Sequence, residues 1–171
     1  MIKLINGRGQ LGRALQDRVR NVKCEKKIYV YHTWKPWKTD LETQEEEYKK
    51  FIEFVKQHKG DRIVLISTYS ENESYYVYFK QMSEAYLIQN CQDCLVIRLP
   101  SLVGNKGILK RFKEGSVCPY GKIEFLTLKE ASIKVVELLQ YDGLVKSFTL
   151  RGEEISAVLV NELIKKLMEK K

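Results

Sequence analysis

The chain has 171 residues, a mass of 20.1 kDa and a net charge of +8, with a pI near 9.2. Its 44 % hydrophobic content is too high for a disordered chain, and 3 Pro with 10 Gly exclude collagen-like or linker-rich architectures. No apolar run approaches the ~20 residues of a membrane span, and the short N-terminal apolar run is no signal-peptide core, so a cytoplasmic protein is expected.

Ile2 to Ile5 reads as a short apolar strand ending at Asn6-Gly7. Leu11, Ala14, Leu15 and Val19 then recur at helical spacing. Ile28 to His32 is β-branched and aromatic, hence a second strand. Thr33 to Thr39 reads as a loop, followed by a helix carrying Leu41, Tyr48, Phe51, Ile52 and Val55. Arg62 to Ser67 is a continuous apolar run and predicts a strand buried on both faces. After a polar loop, a helix is expected over residues 75–90, and a second buried strand from Cys94 to Leu99, stopped by Pro100. Ile123–Leu126 and Ser147–Leu150 read as short strands around a helix from Lys129 to about Gln140. A last helix would set Ile155, Leu159, Leu163 and Leu167 against the core and Lys165, Lys166, Lys170 and Lys171 toward solvent. This alternation predicts a parallel α/β sheet with helices on both faces.

Three features carry chemistry. Gly7-Arg8-Gly9-Gln10-Leu11-Gly12 is a G-x-G-x-x-G turn between a strand and a helix. There Gly7 permits the tight turn, Gly9 lets a pyrophosphate approach the backbone and Gly12 allows close helix–strand packing. Tyr76 and Lys80 form Y-x-x-x-K, which places them on one helix face, with Tyr75 and Tyr78 as competing phenols. An ammonium beside a phenol would lower its pKa and suit it to acid–base work at a carbinol or carbonyl. Ser67 or Thr68, at the end of the preceding strand, would hold the substrate oxygen. Cys91 and Cys94 form a lone C-x-x-C without the second ligand pair of a zinc site and read as ordinary reduced thiols; no metal is expected.

In order along the chain, these segments resemble the short-chain dehydrogenase/reductase superfamily, nearest its extended and atypical members that act on nucleotide sugars. Gly9 to Arg13 is similar to the start of dTDP-4-dehydrorhamnose reductases, and Ile66-Ser67-Thr68 to their strand-end I-S-T. Tyr76, Lys80 and Glu84 match the catalytic helix, and Arg98 to Gly104 the strand and turn after it. Phe125 to Ala131 and Phe148 to Ile155 match two later segments.

The resemblance implies a Rossmann-like, doubly wound, mostly parallel sheet. It implies an NAD(P)-dependent reductase or epimerase of a nucleotide-activated sugar, a role in surface-polysaccharide synthesis, and NADP or NAD as cofactor, with a lean to NADP from Arg8 and Lys35. Thr68, Ser67, Tyr76 and Lys80 would be catalytic, and Gly7, Arg8, Gly9, Gln10, Leu11 and Gly12 would bind the cofactor. One domain over 1–171 is expected, with a minimal substrate-side region around 100–171. Lys106, Lys110 and Arg111 would neutralise a nucleotide diphosphate.

The chain is also shorter than the resemblance requires. Ile28–His32 is either the family's second strand or its fourth, and the fourth is preferred because it leads straight into the helix before the catalytic strand. On that reading, part of the N-terminal nucleotide-binding half is lost. A non-catalytic member, serving as a binding or regulatory subunit, is therefore the alternative. A homo-oligomer or a partner subunit is expected from the exposed sheet edge. The net charge alone motivates a third, weaker reading as a nucleic-acid or membrane-surface binder.

Overall fold

The computed structural model describes residues 1–5, 9–32, 34–70, 73–103 and 121–162. Five parallel strands form the main sheet: β1 (Ile2–Ile5), β2 (Ile28–Tyr31), β3 (Arg62–Thr68), β4 (Cys94–Leu99) and β7 (Ser147–Thr149), in that spatial order. A smaller sheet has the order β5 (Ser101–Val103), β6 (Lys122–Thr127) and β8 (Glu153–Ser156). The helices are α1 (Gln10–Val19), α2 (Leu41–His58), α3 (Tyr75–Asn90) and α4 (Leu128–Leu139), and residues 157–162 begin another.

Alternation along the central strands sorts the core into two layers. Ile28, Val30, Val64, Ile66, Leu95 and Ile97 face Leu11 and Leu15 of α1 and Ala131, Val135 and Leu139 of α4. Tyr31, Ile63, Leu65, Cys94 and Val96 face Phe51 and Val55 of α2 and Phe79 and Leu87 of α3. Helices therefore cover both faces, as expected for the doubly wound architecture.

Strand order and helix faces together decide what β2 is. A sheet that advances one way through right-handed connections keeps every helix on one face. Here β1, β2 and β3 advance in one direction, yet α1 and α2 lie on opposite faces. The β1–α1–β2 connection thus has the opposite hand to β2–α2–β3. That arrangement follows when intervening strands on the far side of β1 are lost and α1 joins directly to the next half. It matches β2 to the fourth strand of a doubly wound sheet and leaves β1 at the edge among the described residues. It also makes the C-terminal ends of β1 and β2, where the chain departs to opposite faces, the switch point at which a doubly wound sheet forms its crevice.

Two local expectations change. Ile155 is not on the last helix: it lies in β8, paired with Ile123 of β6. The chain also resumes as β5 directly after Pro100, pairing in parallel with β6. Strands this short carry too few residues for a visible alternation. Lys106, Lys110, Arg111, Cys118, Leu163, Leu167 and the basic tail lie outside the described residues.

At the N-terminal ends of the strands, Arg62 bonds Asp93 at 3.1 Å and the Tyr141 carbonyl. Lys26 pairs with Asp93 and Asp142 at 3.4 and 3.3 Å. These contacts tie β2, β3, β4 and the end of α4 together, away from the crevice.

Candidate functional site

Ser67, Tyr76 and Lys80 lie near the C-terminal end of β3, on the α2/α3 face. Ser74 caps α3, its side chain accepting from the Val77 amide at 3.2 Å, and so sets the helix phase. With that phase Tyr76, Lys80 and Glu84 point inward. Tyr75 and Tyr78 are 49 % and 55 % exposed and line an outer groove with Thr39 and Leu41. Of the three phenols, only Tyr76 is turned inward, toward Lys80.

Lys80 is buried, and its Nζ donates to the carbonyl oxygen of Ile66 at 2.7 Å. It also lies 4.4 Å from the centre of the Trp34 ring. Trp34 is itself fixed: its Nε1 donates to Gln44 Oε1 at 2.7 Å, and Gln44 Nε2 donates to the carbonyls of Lys35 and Lys38. Burial pulls the Lys80 pKa down to about 7, against the opposing pull of Glu84 and Glu47.

The expected depression of the Tyr76 pKa does not occur. Burial pushes its phenol up to about 12, and no neighbouring charge offsets this. The ammonium that the i, i+4 spacing offers is engaged by Ile66 and Trp34, and near neutral pH it is only partly charged. Tyr76 therefore stays a protonated donor.

Ser67 is buried and its Oγ has no hydrogen-bond partner in the described structure. By strand alternation it points to the α3 face, whereas Thr68 belongs to the other parity and its Oγ1 accepts from the Ser70 amide at 3.2 Å. Beside Ser67 in the register, Arg98 donates through Nε and a terminal nitrogen to Glu84 Oε2 at 2.9 and 2.5 Å. Glu84 Oε1 and His32 Nε2 are also buried without partners among the described residues. Burial and the nearby Lys80 lower the His32 pKa and hold it neutral. Several unspent polar atoms thus gather around one buried amine, which is costly unless something else bonds them.

Next to Thr68, the Arg151 guanidinium lies 4.8 Å from the Tyr69 ring centre and bonds Glu124 Oε2 at 3.1 Å. The Gly152 amide donates to Glu124 Oε1 at 2.6 Å. Sequence reasoning missed this group, and also His32, Trp34 and Gln44, because their partners are distant in the chain. Lys35, suggested for a 2′-phosphate, instead pairs with the buried Glu47 at 3.3 Å.

Of the glycine turn, Gly7 and Arg8 lie outside the described residues. Gly9 is the N-cap of α1, with no side chain capping the helix. Its backbone is ordinary (φ −71°, ψ 172°), and a Cβ placed there would meet nothing within 4 Å. Nothing in the described chain demands glycine at this position, whereas a closely approaching ligand would. Gln10 opens α1, and Leu11 and Gly12 are buried against the sheet. Among the described residues the sheet ends at β1, and no further strand stands beside it to wall an adenosine.

Cys24, Cys91 and Cys94 are free thiols, and burial raises the pKa of Cys91 and Cys94, as for structural cysteines.

No family model matches the chain, and no curated protein matches it. Solved structures do. A UDP-N-acetylglucosamine 4-epimerase from Bacillus cereus aligns over 96 % of this chain and 83 % of its own, at 17 % identity and a TM-score of 0.64. A dTDP-4-dehydrorhamnose reductase from Clostridium acetobutylicum aligns over 96 % and 80 %, at 16 % identity and a TM-score of 0.68. RMD from Pseudomonas aeruginosa, solved with NADPH, aligns over 98 % and 84 %, at 13 % identity and a TM-score of 0.68. At such identities the likeness is one of fold, and it is the fold that the sequence resemblance implied.

Proposed function

We propose that this protein binds a nicotinamide dinucleotide at the β1–β2 crevice and reduces or epimerises a nucleotide-activated sugar. The observation that carries the reading is the buried Lys80 amine beneath the end of β3. It sits among unpaired Ser67, His32 and Glu84 atoms, one helical turn from the Tyr76 phenol. Gly9 and Gly12 would carry the pyrophosphate at the start of α1. The dinucleotide, when bound, supplies or accepts the hydride.

Tyr76, protonated near neutral pH, would give its hydroxyl proton to a carbonyl oxygen as that oxygen gains charge, and take it back in the reverse direction. Ser67 or Thr68 would hold that oxygen by a hydrogen bond. Lys80 would orient the ribose and hold the end of β3 through Ile66. The whole of 1–171 would act as one domain with a small substrate side around 100–171, in the cytoplasm and in the synthesis of surface polysaccharide. Among the described residues, no helix is long and apolar enough to cross a membrane.

Calorimetric titration with NADH and NADPH tests the reading. Binding in the micromolar range, lost in Gly9→Val, is expected; millimolar or absent binding to both would falsify it.

One observation favours the second reading, a non-catalytic subunit: the Lys80 amine is engaged by Ile66 and Trp34, and no charge assists the Tyr76 phenol. That reading predicts no turnover of any nucleotide sugar despite an intact fold.

A further inference from the structure

The loss of strands beyond β1 leaves a sheet edge with an unusual character. Met1 donates to Lys26 O and accepts from Ile28 N, both at 2.9 Å. In a parallel ladder this parity turns the odd-numbered residues of β1 toward β2. It turns the N–H and C=O groups of Ile2 and Leu4 outward, to the side where no strand pairs with β1 among the described residues. Ile2, Leu4 and Ile5 are only partly buried, and they pack into both core layers. A further strand would complete their burial. The opposite edge, β7, is three residues long with Ser147 and Thr149 at its ends.

Charge distinguishes this edge further. Residues 1–27 hold eight Lys and Arg against Asp17 and Glu25, a net +6 of the chain's +8. Lys3 is exposed on β1 itself. At ~100° per residue, Arg13 and Arg20 project from the outer face of α1, opposite the buried Leu11 and Leu15 and away from Arg18. Arg18 bonds Ser132 of α4, toward the sheet centre, at 2.8 Å. Arg13 and Arg20 are exposed, and among the described residues Arg13 has no ion pair. The edge thus combines free backbone groups, half-buried aliphatic side chains and surplus cations.

We propose that the free edge of β1 receives an extended acidic segment of a different protein as an added strand. The backbone of Ile2 and Leu4 supplies the ladder, alternate apolar side chains of the incoming segment cover Ile2 and Leu4, and its carboxylates meet Lys3, Arg13 and Arg20. A second copy of this chain is disfavoured, because it would set the exposed cations Lys3, Arg13 and Arg20 against their own copies. A nucleic acid satisfies the cations but not the outward amides and aliphatic groups.

The test uses the full chain and a fluorescein-labelled peptide of alternating Glu and Val. Expected are saturable binding by anisotropy, weakening with salt, and slowed amide exchange at Ile2 and Leu4. Arg13→Glu with Arg20→Glu should weaken binding at least ~tenfold. Leu4→Pro, which removes one outward donor while sparing the β2 ladder, should abolish it; if that variant does not fold, the charge-reversed pair decides. Three results would overturn the proposal: equal binding of a peptide with Pro replacing each Val, tighter binding of an oligothymidylate that displaces the peptide, or slowed exchange at Ile2 and Leu4 on concentrating the protein alone.

Discussion

Lys80 reaches from the middle of α3 to the backbone of β3, its Nζ 2.7 Å from the carbonyl oxygen of Ile66. That bond fixes α3 against the strand whose end carries Ser67 and Thr68. It also places a titratable amine in the core, and its protonation is therefore coupled to folding.

The coupling has a definite sign. Lys80 titrates near 7 in the folded protein and near 10.5 when unfolded. Between these values the unfolded chain holds the extra proton, so stability rises with pH across this window. Above 10 the sign reverses, because Tyr31, Tyr69 and Tyr76, raised from 10.0 to about 12, keep protons that the unfolded chain sheds. Urea midpoints measured from pH 6.5 upward should climb and then fall. Lys80→Met should lose the climb, amounting to a few kcal/mol, and keep the fall. A wild-type profile flat between pH 7 and 10 would show that the amine is not held this way.

Arg98 and Glu84 form a second buried link between β4 and α3, at 2.9 and 2.5 Å. Removing Arg98 strands the buried Glu84 carboxylate, while removing Glu84 leaves an Arg98 side chain that is 32 % exposed. Arg98→Leu should cost about 3 kcal/mol, Glu84→Leu less, and the double variant less than their sum. Additive losses in denaturant unfolding would count against a coupled pair.

Gly152 has no room for a side chain. A Cβ there would lie 2.0 Å from the Phe125 carbonyl oxygen, a backbone atom in β6. Gly152→Ala should cost about 1–3 kcal/mol by forcing the chain off β6. It should also loosen the Arg151–Tyr69 stacking, visible as increased quenching of tyrosine fluorescence. An unchanged melting temperature would contradict this close approach.

The open flank of β1 bears on affinity. If a dinucleotide binds at Gly9, its adenosine gains little from the sheet. NADH and reduced nicotinamide mononucleotide should therefore bind within about tenfold of each other in calorimetric titration. A thousandfold preference for the dinucleotide would mean that other residues enclose the adenosine.

Much of the fold was legible because its elements follow strong periodicities. Arg62–Thr68 and Cys94–Leu99 are apolar throughout and stand at the sheet centre. The three-residue strands and the place of Ile155 were not legible, because such pairing is decided across the chain. The site divides similarly. The spacing of Tyr76 and Lys80 puts both on one helix face, but it does not say which partner the amine takes. The Ile66 carbonyl and Trp34, the latter held by Gln44 and far in sequence from Lys80, meet the amine only once the chain is folded.

The reversed hand at β1–α1–β2 also marks a seam in the molecule. Residues 20–27 span the gap between α1 and β2, at the end of the sheet opposite the crevice. A graft of two strands with their helices at this point would extend the sheet past β1 and let both halves wind with ordinary handedness. The central strands and the Lys80 pocket would not need to change. The connection is thus the natural insertion point for rebuilding an adenosine-gripping half, turning an accident of length into a design handle.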